Sequence, residues 1–178
     1  MKLSTAATSV CAVAIALNAP SIASAGIAHS QQDATWLQTS MQTDIAEIQA
    51  GKLAETKSTN QAVLKLAETL VSDHTALLSR AESLARPDGI AIPNSPSHLQ
   101  QKAGQQLAAL SGRAFNVSFS DMQVSGHTTA IKQTKREAKL GSNPAIKAAA
   151  RSSVGMLEMH LRLAEAALKS SHVLYPNK

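Results

Sequence analysis

Residues 61–85 read QAVLKLAETLVSDHTALLSRAESLA, and this stretch decides the fold. Val63, Ala67, Leu70, His74, Leu77, Ala81 and Leu84 follow one another at steps of 4, 3, 4, 3, 4, 3. That spacing puts all seven on one side of an α-helix and makes a seam that must be buried against other helices. The residues between them are good helix formers, and no Gly or Pro interrupts them. His74 stands in the middle of the seam, where an apolar residue is expected. Asn60 supplies a cap before the helix, and Arg86-Pro87-Asp88-Gly89 stops it.

The same reading extends outward in both directions. Upstream, a helix is predicted from about Gln31 to Thr56, capped by Ser30 with Asp33 in its first turn. Its apolar stripe is Leu37, Met41, Ile45 and Ile48. Downstream, residues 87–97 carry three prolines and form a loop or a crossover. Ser97, with Gln100 as its reciprocal partner, opens a third helix. Ser111-Gly112 is a break or kink in it, and Phe115, Phe119, Gln123, His127 and Ile131 then recur every four residues to about Leu140. In Gly141-Ser142-Asn143-Pro144, Gly ends one helix, Asn143 caps the next and Pro144 takes its first position. The last helix runs to about Ser171 on a stripe of Ile146, Ala150, Val154, Leu157, Leu161, Ala164 and Leu168, with His160 beside it. Four long amphipathic segments predict an all-α fold, an antiparallel four-helix bundle.

The N-terminus predicts export. Lys2, an uncharged apolar stretch over residues 6–19 and Ala23-Ser24-Ala25 together read as a secretory signal peptide. Residues 1–25 are then removed, and residues 26–178 form one domain. The apolar stretch is too short for a membrane anchor, and no later segment is apolar enough to span a bilayer. The expected location is the periplasm, with peripheral association at the outer membrane. The single cysteine, Cys11, leaves with the signal, so the mature chain has neither disulfide nor thiol chemistry.

Charge and composition narrow the function. The chain carries a net charge of +5, which favours anionic components of the envelope as neighbours. Aromatics are 2% of the residues, too few to stack single-stranded nucleic acid, and no element that reads a duplex is present. Nucleic acid is excluded as a partner. Lys132, Lys135, Arg136 and Lys139 form a basic helical face that reads as an ordinary solvated one. There is no nucleophile elbow and no phosphate-binding Gly loop, so nothing marks out an enzyme.

The residues able to carry chemistry are Glu47 on the first helix, Asp73 and His74 on the second, His127 on the third, and Glu158 and His160 on the fourth. Imidazoles and carboxylates that converge inside a bundle bind transition metal ions, so Glu47, His74, His127 and His160 form a candidate ligand set with Asp73 in support. The competing use of seam histidines is a buried hydrogen-bond network that fixes helix register. The Glu-x-x-His pairs of di-iron bundles are missing, because Val71 and Leu157 stand three residues before His74 and His160. A second metal reading uses the N-terminus: cleavage after Gly26 would leave Ile27-Ala28-His29, a chelator for copper(II) or nickel(II). The small-x-small rule favours cleavage after Ala25.

Several of these blocks resemble a bacterial family, domain-of-unknown-function family 4142, whose members are described as outer-membrane or periplasmic proteins with a ferritin-like bundle. The matching pieces are Asp44-Ile45-Ala46-Glu47-Ile48 with Gly51-Lys52-Leu53-Ala54, then Leu70-Val71-Ser72-Asp73-His74-Thr75. Phe115, Phe119, Gln123 and His127 form a third block, and Leu157-Glu158-Met159-His160-Leu161 a fourth. The chain departs from the family pattern at Asn116 and Phe119, which stand where the pattern has Asp and Tyr, and at Val154-Gly155 in place of Leu-Pro. The resemblance implies a ferritin-like fold and supplies no activity. The expectation adopted from the sequence is an exported binding, structural or stress-related module of the cell envelope. The alternative is a bundle that stores or scavenges a transition metal.

Overall fold

A computed structural model describes residues 29–172. The expected signal peptide, its expected cleavage site and Ile27-Ala28 lie outside the described residues. The described chain is all-helical, with no strand: α1 Gln31–Lys57, α2 Gln61–Ala85, α3 His98–Ala108, α4 Gly112–Leu140 and α5 Pro144–His172.

The caps read from the sequence form. Ser30 and Asp33 make a reciprocal capping box at α1, and Ser97 and Gln100 make one at α3. Asn60 Oδ1 accepts from the amides of Ala62 and Val63 at the start of α2. Asn143 Oδ1 accepts from Ala145 and Ile146 at the start of α5, where Pro144 is the first residue. Gly141 ends α4 as expected but is not a left-handed cap, since its φ is −54°. A Cβ there would lie 2.8 Å from the Glu137 carbonyl and 3.0 Å from Asp33 Oδ1. Gly141 is a close approach rather than a special turn.

The break at Ser111-Gly112 is complete. Gly112 takes φ +55°, open only to residues without a Cβ at little cost, and the chain divides into two separate helices there. Lys57 Nζ donates to the carbonyls of Ala108 (2.6 Å) and Leu110 (2.9 Å), so a cation closes the C-terminal end of α3. Gln100 Nε2 donates to Thr43 Oγ1 and ties the start of α3 to α1.

The four long helices pack in a ring, α1 on α2, α2 on α5, α5 on α4 and α4 on α1, with α3 against the outside of α1 and α4. Two apolar clusters fill the ring. One joins Ala54, Val63, Leu66, Leu70, Phe115, Phe119 and Ala164. The other joins Leu37, Met41, Ala81, Ala85, Ile90 and Ile146. Reading each helix from one cluster to the other makes neighbours in the ring antiparallel. It also makes α2 and α4 run the same way, so residues 86–111, including α3, carry the chain back along the length of the molecule.

The inner faces depart from the expected stripes in three places. On α2, Leu77 and Leu84 of the seam are only half-buried, while Leu66 and Ala85 are buried. On α1, Leu37 and Met41 are buried as expected, but Ile45 and Ile48 are only half-buried, and Asp44, Gly51 and Ala54 continue the inner face. On α5, Val154, Leu161 and Leu168 flank the core while Ser153, His160 and Ala167 are buried. Ile146, Ala150, Leu157 and Ala164 of the expected stripe stay buried, and the small residues Ala149, Ser153 and Ala167 let α5 approach its neighbours closely along the adjacent positions too. The wider buried face takes in His160.

Candidate metal centre

Between the two apolar clusters every long helix presents a polar residue. α1 contributes Asp44 and Glu47 after Met41. α2 contributes His74 after Leu70, α4 contributes Gln123 and His127 after Phe119, and α5 contributes His160 before Ala164. His74 and His127 are each 2% exposed and His160 is fully buried. The three ring centroids are 5.1 to 5.8 Å apart.

Each ring is held by one of its nitrogens. His74 Nδ1 lies 2.7 Å from Asp44 Oδ1. His127 Nδ1 lies 3.0 Å from the Gln123 carbonyl. His160 Nε2 lies 2.9 Å from Asp73 Oδ2. A carbonyl and a carboxylate only accept, so the tautomers follow: each of these nitrogens carries the proton, and the opposite nitrogen of a neutral ring is bare. The bare atoms are His74 Nε2, His127 Nε2 and His160 Nδ1. One nitrogen from each of the three rings lies within 4.8 Å of the others.

Two of the bare nitrogens oppose each other. His127 Nε2 is 3.2 Å from His160 Nδ1. A proton on either ring would turn this contact into a hydrogen bond, but the environment resists it. Burial, together with the nearby His74 and His160, pushes the His127 pKa down to about 3. Burial lowers that of His160 too, against the opposing pull of Asp73. His74 behaves differently. Burial works to lower its pKa, and the hydrogen bond to Asp44 with the charges of Glu47, Asp44 and Asp73 outweighs it and raises it. His74 Nε2 nevertheless has no partner.

Glu47 completes the layer. Burial raises its pKa, and the nearby His74 and the Gln123 amide oppose that rise. Its Oε2 is shielded from solvent and makes no hydrogen bond, and neither amide atom of Gln123 makes one of normal geometry. Asp44, which burial likewise pushes up, holds His74. Three carboxylates thus surround three imidazoles inside a chain of net positive charge.

Among the sequence candidates, His74, His127 and His160 come together within 4.8 Å, while Glu47 lies near His74 but outside that group and Asp73 stands behind His160. Glu158 does not join them. It lies on the outer face, 2.7 Å from Lys135, so that part of the basic face is an ordinary surface ion pair. Asp44 was missed as a candidate. The signal was present, since Asp44 stands three residues before Glu47 and three after Met41, on the inner face of α1.

A family model described as Domain of unknown function (DUF4142) matches residues 18–167. The chain belongs to the DUF4142 family. No curated protein matches the chain. Among solved structures, a fragment of a DUF305 protein from Deinococcus radiodurans is similar, with a TM-score of 0.69 at 17% identity over 80% of this chain and 98% of that one. At that identity the likeness is one of fold. No described helix of this DUF4142 protein is long and apolar enough to cross a membrane.

Proposed function

We propose that this DUF4142 protein is an exported, ferritin-like four-helix bundle that binds one divalent transition metal ion at His74, His127 and His160, with Glu47 as a fourth ligand. The observation that carries the reading is the set of three anchored imidazoles. Each gives one nitrogen to an acceptor in its own surroundings and leaves the other bare in the neutral ring, and one nitrogen from each ring lies within 4.8 Å of the others. Metal-binding histidines are oriented in this way, by a carboxylate or carbonyl on the far nitrogen. A purely structural network would leave no reason for an unpartnered His74 Nε2 or for two lone pairs 3.2 Å apart. A cation resolves both, and burial makes a proton the less favoured cation at His127 and His160.

The donor set points to zinc(II) or copper(II), since imidazole suits both and thiolate is lacking in the mature chain. Metal–nitrogen bonds of about 2.0–2.1 Å at tetrahedral angles set ligand nitrogens about 3.3–3.4 Å apart, close to the 3.2 Å that separates His127 Nε2 from His160 Nδ1. Asp44 and Asp73 hold His74 and His160 and raise their basicity. The signal peptide supports a role outside the cytoplasm, in storing or scavenging metal, with anionic envelope components as neighbours.

The test is direct titration of the purified protein with zinc(II) and copper(II), followed by calorimetry and metal analysis. One equivalent bound by the wild type, and lost in His127→Ala and His160→Ala, is the expected result. Failure of either metal to bind at stoichiometric concentration would return the histidines to a structural role. A metal lost only on deletion of residues 26–29 would place it at the chelating N-terminus instead.

A further inference from the structure

Gln123 is the least explained residue of the layer. It is fully buried, and its side chain offers two donors and an acceptor. None of them meets a protein group in a normal hydrogen bond. A buried amide left in that condition is disfavoured and rare in folded proteins. Its position is not accidental to the centre. The backbone carbonyl of the same residue fixes the His127 ring, and its amide lies close enough to Glu47 to lower that carboxyl's pKa. Gln123 therefore anchors one imidazole with its main chain and borders the same space with its side chain. Ser120, one turn earlier on the same face of α4, is also fully buried with an unpartnered hydroxyl.

An amide is a poor ligand for a first-row divalent ion beside imidazole and carboxylate. It is well suited to hydrogen-bond a small molecule that is itself bound to the ion. Three imidazoles and one carboxylate leave a coordination position for such a molecule in a five-coordinate centre. A groove of about 980 Å³ runs between α1, α3 and α4, and of the polar layer only Glu47 lies in its wall. Glu47 is the one charged side chain among its lining residues, which are otherwise amides, hydroxyls and apolar groups. Gly126 keeps the groove open against Glu47: a Cβ there would stand 3.9 Å from Oε1, and any longer side chain would extend from that point.

We propose that the centre holds a second, non-protein ligand, a small oxygen- or nitrogen-donor molecule of the class of water, hydroxide and azide, positioned on the metal by the Gln123 side chain. The inference rests on the metal-binding reading above. Gln123 is a positioning residue here, and Glu47 stands between the ligand and the groove.

The experiment uses the cobalt(II)- or copper(II)-loaded protein and azide as the probe. In the wild type, azide gives a saturable change in the visible spectrum at one equivalent per metal. Gln123→Leu and Gln123→Met keep the metal stoichiometry and bind azide about tenfold or more weakly, as loss of one hydrogen bond to a charged ligand implies. The metal-free variants are expected to melt higher than the wild type, because an unpartnered amide has been replaced by an apolar group of similar size. A loaded wild type whose spectrum ignores azide overturns the inference and leaves the metal reading standing. Variants that bind azide as tightly as the wild type, or that melt lower without metal, overturn it too, since the amide would then be a structural group. Absence of metal binding in the wild type would remove both readings together.

Discussion

His127 Nε2 faces His160 Nδ1 at 3.2 Å while the far nitrogen of each ring is committed to an acceptor, the Gln123 carbonyl for one and Asp73 for the other. The two rings come from α4 and α5, which are joined by the short Gly141–Asn143 turn and packed along their length. The contact is thus fixed by the fold, and no rotamer change in one ring relieves it without breaking that ring's anchor. It holds two neutral imidazoles with their bare nitrogens opposed.

Asp44→Asn tests the anchoring of His74. An Asn oxygen can still accept from Nδ1–H, so geometry is kept while the charge is lost. Metal affinity is expected to fall by about 10–100-fold, the usual effect of removing such an outer partner. Calorimetric titration of the variant against wild type measures it; an unchanged affinity would mean that His74 is not a ligand.

The pH dependence of metal binding has a definite sign. His74 carries the raised pKa, His127 and His160 the lowered ones. Among the three rings only the His74 proton therefore competes with metal, and the buried Glu47 carboxyl, also pushed up, competes beside it. Affinity declines as pH falls through the folded pKa values of these two groups, because a protonated ring or carboxyl has no free lone pair for the ion. Protons released on metal binding should therefore come from His74 and Glu47 and not from His127 or His160. Titration in buffers of different ionisation enthalpy counts them; a release that persists undiminished in Glu47→Gln and rises above one would contradict the assignment. For the metal-free fold the same shift runs the other way. His74 adds stability below its unfolded pKa of about 6.5, and that contribution is lost as pH rises through its folded value.

Much of this centre was legible in the sequence, and the reason is periodicity. His74 and His127 occupy positions where an apolar residue was due, and a period of 3.6 places such residues without any tertiary information. Glu47 and Asp73 stood out in the same blocks. His160 was visible but set beside its stripe, because the close approach of α5 through its small residues widens the buried face by one position. Asp44 and the side chain of Gln123 were not read as site residues. Asp44 competes with Ile45 for the inner face, and only packing decides which of two adjacent residues points inward. The unpartnered amide of Gln123 is a property of its neighbours, which no single-helix pattern encodes. The division into α3 and α4 was marked by Ser111-Gly112, and the return of the chain along the molecule stood as one of two alternatives for residues 87–97, since sequence spacing does not distinguish a turn from a crossover of that length.

Gly51 sets the distance between α1 and α2 half-way between Glu47 and Ala54. A Cβ at Gly51 would lie 2.7 Å from Val71 Cγ2 and 3.0 Å from the Ala67 carbonyl. Gly51→Ala gains about 1 kcal/mol in helix propensity, but forcing apart two packed helices costs about 1–3 kcal/mol. The backbone contact cannot be relieved by a rotamer, so the variant is expected to melt lower. Because Asp44 and Glu47 lie within two turns of the displacement, it should also weaken metal binding. Adding Val71→Ala removes the nearer contact and should recover part of the loss; a melt at or above wild type for Gly51→Ala alone would disprove the close approach.

A second buried acidic pair lies at the far end of the bundle and gives a prediction independent of metal. Asp33 accepts from the amides of Ser30, Ser142 and Asn143 and from the hydroxyls of Ser30 and Ser142, which staples the start of α1 to the α4–α5 turn. Burial works to raise its pKa, and these bonds together with Glu137 outweigh it and hold it far below the usual carboxylate range. Glu137 is pushed the other way, by burial and by Asp33, while Gln32 Nε2 donates to its Oε2 at 3.0 Å. Asp33 therefore contributes stability above its unfolded pKa of about 3.9 that is lost as pH falls through its folded value. Glu137 contributes below its unfolded pKa and loses that contribution as pH rises through its folded value. In Glu137→Gln the amide donates to Asp33 without titrating, and its oxygen still accepts from Gln32. The variant is expected to melt a few degrees higher than wild type at pH 7–8, the shift that about 1 kcal/mol produces in a chain of this length. The difference should vanish near pH 4, where Glu137 holds its own proton. Thermal melts from pH 4 to pH 8 decide it: a variant less stable than wild type at pH 8 would mean that Glu137 is ionised in the fold and that Asp33 faces it without a shared proton.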